Sequence, residues 1–146
     1  MNNHQRVLGL ALAELEGFLL RLERAFAEPP LSGQLYWETN PLFGHPKATT
    51  VQAESARLRG HLARLAQLLG LEPVRKSRFD FFWAGLSSYW ANLEELRPVH
   101  LESYGRVEPW LAATLEPELE ALEQGLRQIE SYLMEVEDVP AHRGGV

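Results

Sequence analysis

Apolar residues recur at steps of three and four along four stretches of the chain, and this is the spacing of residues on one face of an α-helix. The first stretch has large apolar residues at Leu8, Leu12, Leu15, Leu19, Leu22 and Phe26. It predicts a helix over residues 5–28, which Pro29 and Pro30 end because proline cannot continue a helix.

A second repeat predicts a helix over residues 50–69. Its small and apolar positions follow the same spacing, at Val51, Ser55, Leu58, Leu62, Leu65 and Leu69. Thr49 stands three residues before Gln52 in the pattern of a capping box, so we expect the helix to begin there. Gly70 follows the last apolar position, where a glycine commonly ends a helix.

The third repeat is rich in aromatic residues. Ser77 precedes Asp80 by three residues and is expected to cap the start of the helix, and Pro98 closes it. The apolar stripe that we expect to face the core is Phe79, Phe82, Trp83, Leu86, Trp90 and Leu93.

The fourth repeat keeps its spacing without a slip. Its apolar positions are Ala112, Leu115, Leu119, Leu122, Leu126, Ile129, Leu133 and Val136. Pro117 lies inside this repeat and predicts a kink or a fresh helix start there, because proline lacks a backbone donor and clashes with the preceding turn. Pro109 suits the first turn of an earlier helical piece.

The four repeats predict an all-α protein, since no segment alternates apolar and polar residues over a useful length. Short connections join the second helix to the third and the third to the fourth, which favours an antiparallel four-helix bundle with a kinked last helix. We expect one domain over residues 1–138. Residues 139–146 have no repeat and are predicted to be disordered.

The connection over residues 29–49 is long for a bundle and contains four prolines. It also carries six large apolar residues: Leu31, Leu35, Tyr36, Trp37, Leu42 and Phe43. Because a solvated linker would not hold so much apolar surface, we expect the segment from Leu35 to Phe43 to be ordered and packed against the helices.

Charge and composition exclude several classes of function. The net charge of −6 argues against general binding to nucleic acid or anionic lipid. The absence of cysteine excludes disulfides, thiol catalysis and thiolate zinc sites. Glu14 and Glu16 interrupt the apolar run of the first helix, so no membrane span is predicted and we expect a cytoplasmic protein. Charge-dense helices are also compatible with thermophily.

Catalytic and metal-binding motifs are missing from the sequence. No Glu-x-x-His, His-x-x-x-His or phosphate-binding loop occurs, and no serine has the context of a nucleophile. His45, His61 and His100 could converge on a metal, but the pattern favours boundary and loop positions for them. The sequence therefore predicts no metal, no cofactor and, more readily than an enzyme, a non-enzymatic protein.

Surplus aromatic and small residues on the third helix indicate a second apolar face beyond the core stripe. They are Phe81, Ala84, Ser88, Tyr89 and Ala91. Aromatic residues are enriched at the centres of protein interfaces, so we expect this face to be buried in a homodimer. The first interpretation is a helical bundle that acts through protein association, as a homo-oligomer, an assembly subunit or a small regulatory adaptor.

Two alternatives remain from the sequence. One is a small-molecule or metal-binding bundle, possible also as an enzyme, with a pocket between residues 36–45 and the aromatic helix. Its lining would come from Tyr36, Trp37, Trp83, Trp90, Asn92 and His100. The weaker one is an accessory protein of a nucleic-acid complex, for which the candidate contacts are Arg57, Arg64, Arg75, Lys76 and Arg78.

Overall fold

The computed structural model describes residues 2–136, which are mostly helical and include no β-strand. The elements are α1 (Asn3–Ala25), α2 (Ala48–Leu69), α3 (Arg78–Glu95), α4 (Pro98–Leu101), a 3₁₀ turn (Glu102–Tyr104) and α5 (Pro109–Met134). The all-α class is confirmed, and the one-turn α4 adds a fifth helix to the four that the sequence predicts. The tail predicted for 139–146 lies outside the described residues.

The helix ends follow local capping chemistry, with one exception to the prediction. The Ser77 hydroxyl accepts a hydrogen bond from the Asp80 amide, and Gly70 ends α2 with a φ of 64°, as expected. The Thr49 capping box is wrong, because α2 begins two residues earlier, after Lys47, whose side chain makes no capping bond to the described residues. A capping box instead starts α1.

The contacts divide the chain into two units, Met1–Val74 and Arg75–Val146, which are described separately. In the first unit α1 and α2 form an antiparallel hairpin, here called the first hairpin. Gln5 at the start of α1 donates a 2.8 Å hydrogen bond to the carbonyl of Leu69 at the end of α2. At the other end, Ser55 near the start of α2 donates to Glu23 near the end of α1.

One of the two seven-residue registers of α1 closes the first hairpin. Leu19 and Phe26 of that register are buried, as are Ser55 and Leu62 of α2. In the other register of α1, Leu8 and Leu15 stay accessible to solvent, and so does Leu65 of α2. Each helix thus uses part of its apolar stripe for its neighbour, because one partner helix covers only a narrow band of another.

In the second unit α3 and α5 pack against each other as an antiparallel pair, here called the second hairpin. Along this pair Arg97 meets Glu116 and Glu123, while Trp90 meets the later Arg127. Leu119 is buried. The helix α5 runs unbroken from Pro109 through Pro117, so the fresh start predicted as one outcome does not occur, and Pro109 occupies its first turn as expected.

The stripe predicted for the core of α3 holds only in part. Phe79, Trp83, Leu86, Trp90 and Leu93 are half-buried, and the rings of Phe79 and Trp83 stack with their centroids 5.8 Å apart. Phe82 is exposed, which corrects the prediction. A single facing helix covers the side of α3 around Trp83 and Trp90, and Phe82 lies outside that band.

The connection between α1 and α2 is ordered by backbone and amide hydrogen bonds. Residues 31–38 form a small turn closed by an isolated bridge between Ser32 and Trp37, and the Asn40 amide donates to the carbonyls of Ala25 and Glu28. The prediction of a packed segment is nevertheless wrong over its first three residues, because Leu35 and Tyr36 are exposed and Trp37 is 79 % exposed. The bridge satisfies the backbone locally without needing the helices as a cover.

Candidate interaction surface

A groove runs along one side of the second hairpin between α3 and α5, with a volume of about 390 Å³. It is lined by Tyr89, Asn92, Leu93, Ala121, Leu122, Gly125, Leu126 and Ile129. Apart from the Asn92 amide and the Tyr89 hydroxyl, these side chains carry no polar group. The groove is therefore an apolar surface rather than a polar binding site.

The groove exists because α5 has two apolar registers and α3 covers one of them. Leu119 is buried, at 2 % exposure, and Leu126 of the same seven-residue register is half-buried. The next register remains open, with Leu122 and Ile129 at 54 % and 49 % exposure. Exposed large apolar residues that continue one another along a helix are typical of a surface that another helix covers.

Gly125 forms the floor of this open register, one turn after Leu122 and one turn before Ile129. A Cβ atom added at Gly125 would meet no atom of the described residues within 4 Å. The packing of the chain's described part therefore does not require a glycine there, although glycine in a helix interior costs about 0.5–1 kcal/mol relative to alanine.

The five residues predicted for the interface are all exposed, but they do not form one patch. Tyr89 lines the groove. Ala84 and Ala91 lie roughly half a turn away around α3, given about 100° per residue, and the exposed positions Phe81 and Ser88 lie between. The structure thus separates Ala84 and Ala91, here called the small strip, from Tyr89, with which the prediction groups them.

The sequence pattern does not distinguish the α5 half of the groove from the core. Leu122 and Ile129 belong to the same repeat as the buried Leu119. The signal was present in the width of the fourth repeat, whose eight apolar positions exceed what one facing helix covers. What the repeat does not encode is which of its two registers faces α3.

The residues predicted for a ligand pocket are distributed over both units. Tyr36 and Trp37 belong to the connection in the first unit, and the other four belong to the second unit: Trp83, Trp90, Asn92 and His100. Of these, Asn92 lines the groove. His100 lies on α4 with its Nε2 3.6 Å from Glu94 Oε1. The pocket between the connection and the aromatic helix stays a prediction.

Trp90 has an unusual environment on the inner side of α3. The guanidinium carbon of Arg127 lies 5.4 Å from the centroid of its ring, in a cation–π arrangement. The indole Nε1 is buried and has no hydrogen-bond partner within residues 2–136. Arg127 is itself a donor, so the pair stabilises α3 against α5 by stacking rather than by hydrogen bonding.

An ion-pair cluster fixes the end of the second hairpin. Arg97, just after α3, lies with its Nη2 2.6 Å from Glu123 Oε2 and its Nη1 3.3 Å from Glu116 Oε2. Glu123 is only 12 % exposed. The hydrogen bond to Glu123 is the main reason that the pKa of Arg97 is raised. This cluster positions the two helices that form the groove.

The first hairpin has a comparable cluster between its helices. Arg59 donates to both carboxylate oxygens of Glu23, and the buried Ser55 hydroxyl donates to one of them at 2.8 Å. The hydrogen bonds from Arg59, and then from Ser55, lower the pKa of Glu23. Because all the donors come from α2 and the acceptor from α1, the cluster specifies how these helices pair.

The residues predicted for a nucleic-acid contact are exposed, but the first of them is already paired. Arg57 forms an ion pair with Glu54 on its own helix and its Nη1 lies 3.3 Å from His61 Nε2, and the hydrogen bond to Glu54 raises the pKa of Arg57. Arg64 is exposed farther along α2. The others belong to the second unit: Arg75, Lys76 and Arg78.

A metal-binding cluster and a membrane-spanning helix are two further features that would indicate a function for the described residues. No three His, Asp or Glu side chains among residues 2–136 are grouped so that they could hold a metal ion. None of the helices described has the length and apolar character needed to cross a membrane. Comparisons with protein-family models, with curated proteins and with solved structures gave no match.

Proposed function

We propose that this protein acts without catalysis, by associating with protein chains through the apolar face of its second hairpin. The observation that carries the proposal is the open register of α5, where Leu122 and Ile129 lie exposed on either side of Gly125. An apolar surface of this kind favours association because burying it removes it from water, at about 25 cal/mol per Å².

The partner that we propose first is a second copy of the chain, in a homodimer in the cytoplasm. The antiparallel four-helix bundle that the sequence predicts within one chain is a separate proposal. Both hairpins leave one apolar register accessible, at Leu8 and Leu15 of α1 and at Leu122 and Ile129 of α5. Two such hairpins would form a four-helix bundle if their exposed apolar registers packed against each other.

The homodimer is tested by light scattering coupled to gel filtration at tens of micromolar. We expect a dimer mass for the wild type and a monomer mass for Tyr89→Arg, because the charge enters the groove. Ser131→Arg on α5 is the matched control, since Ser131 is exposed and does not line the groove. A wild-type monomer would rule out the homodimer. A dimer that Tyr89→Arg leaves intact, with helicity unchanged, would rule out the groove as its contact.

The site predicted from the sequence on α3 is tested in the same assay. Ala84→Arg and Ala91→Arg change the small strip rather than the groove. We expect both variants to remain dimeric if the groove is the contact. Dissociation by either of them, with Tyr89→Arg still dimeric, would return the interface to the small strip.

A small-molecule site is the second candidate, because the volume of the groove lies within the range of about 300–1,000 Å³ that is usual for ligand pockets. Asn92 would supply the hydrogen bond that orients an apolar ligand. The dye 8-anilinonaphthalene-1-sulfonate is a suitable probe, because its aromatic rings fluoresce when they enter an apolar site. Saturable binding at one site per chain that Gly125→Phe abolishes would support this function, and dye binding unchanged by Gly125→Phe would exclude the groove.

A further inference from the structure

The face around the groove is large enough to form a stable contact. Tyr89, Phe82 and Tyr132 are each at least 60 % exposed, and four aliphatic side chains accompany them: Leu96, Leu122, Ile129 and Val136. Aromatic side chains contribute about 150–250 Å² each when they are fully buried. Together these residues present on the order of 800 Å², which is the area that each partner buries in a typical stable complex.

Gly125 indicates what kind of element covers this face. Its Cβ position is open towards the groove as far as the described residues reach, and glycine weakens the helix that contains it relative to alanine. A glycine at the centre of an apolar helix face is explained where a second backbone approaches closely. An α-helix lying along α5 provides such a backbone.

We infer that this helix is α5 of a second copy, running antiparallel to the first α5 about a two-fold axis beside Gly125. The inference rests on the proposed association and specifies its geometry. An axis at Gly125 places the residue four positions after it opposite the residue four positions before it. Ile129 then packs on the partner's Ala121, and this contact of a large residue with a small one occurs twice.

The same two-fold pairing gives Glu118 a polar neighbour. Glu118 lies seven residues before Gly125, and Tyr132 lies seven residues after it. Two helical turns place both on the face that carries Gly125, so each Tyr132 hydroxyl is set opposite the partner's Glu118. A phenol O–H can donate to a carboxylate, so the charged residue on this face does not oppose the contact.

A single engineered cysteine tests the axis, because the chain has no cysteine of its own. We expect Gly125→Cys to form a disulfide-linked dimer rapidly under mild oxidation, since residues beside the axis come within the 4.4–6.8 Å between Cα atoms that a disulfide needs. Gly60→Cys is the control. Its Cβ position is likewise open among the described residues, but it lies on α2, and we expect only slow linkage.

Exchanging the large residue Ile129 and the small residue Ala121 tests which residues face each other across the two-fold axis. Ile129→Ala should raise the dimer dissociation constant about tenfold or more, as loss of a central contact does, and Ala121→Ile with Ile129→Ala should restore it. Circular dichroism confirms that both variants are folded. A wild-type monomer overturns the inference and the homodimer together. A wild-type dimer that Gly125→Cys does not link, or that the double variant does not restore, overturns the inference alone.

Discussion

The guanidinium of Arg59 donates two hydrogen bonds to the carboxylate of Glu23, of 2.7 Å from Nε to Oε2 and 2.9 Å from Nη2 to Oε1. The buried Ser55 hydroxyl adds a third. A carboxylate that accepts several hydrogen bonds is stabilised in its charged form, so the pKa of Glu23 falls below its ordinary value. The stability of the first hairpin is therefore linked to the ionisation of this residue.

Replacing Glu23 by Gln should lower the stability of the first hairpin in a pH-dependent way. Because the folded-state pKa of Glu23 lies below its ordinary value of 4.5, the contribution of the charge is complete above that value. It is lost as the pH falls through the folded-state pKa. Urea unfolding at about pH 7 and about pH 3 should thus show a stability difference between wild type and Glu23→Gln that shrinks in acid. A difference that is constant across this range would contradict the prediction.

Truncation of two leucines three residues apart should have different effects. Leu119→Ala removes a buried side chain and should destabilise the protein by about 2–5 kcal/mol. Leu122→Ala removes an exposed one and should cost less than about 1 kcal/mol in dilute solution, where dimerisation does not contribute. Thermal unfolding of both variants at low protein concentration gives the comparison. Equal losses would show that both registers of α5 are buried under these conditions.

The sequence is sufficient for the four long helices because their signals are local, whereas the one-turn α4 is too short to show a repeat. Spacing alone placed α3 and α5, and Ser77 and Gly70 marked a start and an end as the structure has them. The connection was misjudged for a different reason. Tyr36 and Trp37 are apolar enough to suggest burial, but residues 31–38 are held by backbone hydrogen bonds and by the Glu38 carboxylate. This carboxylate accepts hydrogen bonds from the Leu31 amide and the Tyr36 hydroxyl. Such local bonds are not visible in the spacing of apolar residues.

Loss of Arg97 should destabilise the second hairpin more than loss of Arg57 destabilises the first. Arg97→Met leaves Glu123, which is largely shielded from water, without the guanidinium that it faces. Arg57→Met leaves only the exposed Glu54, and exposed ion pairs contribute little.

The matched double variant isolates the effect of the orphaned charge. Arg97→Met with Glu123→Met should recover part of the stability that Arg97→Met loses, because an apolar pair of similar size replaces the ion pair. Urea unfolding of the single and double variants measures the recovery. If the two losses simply add, Glu123 does not depend on Arg97.

Two glycines of α2 should respond oppositely to alanine. Gly60 lies inside the helix with open space at its Cβ position among the described residues, so Gly60→Ala should stabilise by about 0.5–1 kcal/mol. Gly70 has a φ of 64°, and Gly70→Ala should destabilise by about 1–2 kcal/mol because a Cβ strains the left-handed conformation. Chemical unfolding of both variants measures the two changes in the free energy of unfolding. Stabilisation by Gly70→Ala would show that α2 does not end as described.

The sequence indicates the α3 side of the groove but not its α5 side. Tyr89 was singled out because it lies off the core stripe of α3, and it does line the groove. Leu122 and Ile129 could not be separated from Leu119 by spacing, since all three belong to one unbroken repeat. Which register of a two-register helix faces its neighbour depends on the rotation of the helix, and tertiary packing sets that rotation.

The salt dependence of the dimer's dissociation constant should show whether two acidic hairpins meet at the contact. Residues 75–136 hold eleven acids and six bases, so the second hairpin carries an excess of five negative charges. Two copies that meet through this hairpin repel each other, and salt screens the repulsion, since the Debye length falls from about 30 Å at 0.01 M to about 10 Å at 0.1 M. We therefore expect the dissociation constant of the dimer to fall several-fold over that range, as measured by analytical ultracentrifugation. Glu120→Gln, an exposed charge removed from α5, should reduce the dependence without changing the apolar face. A dissociation constant that rises with salt would mean that opposite charges meet across the contact, and it would contradict the pairing of two acidic hairpins.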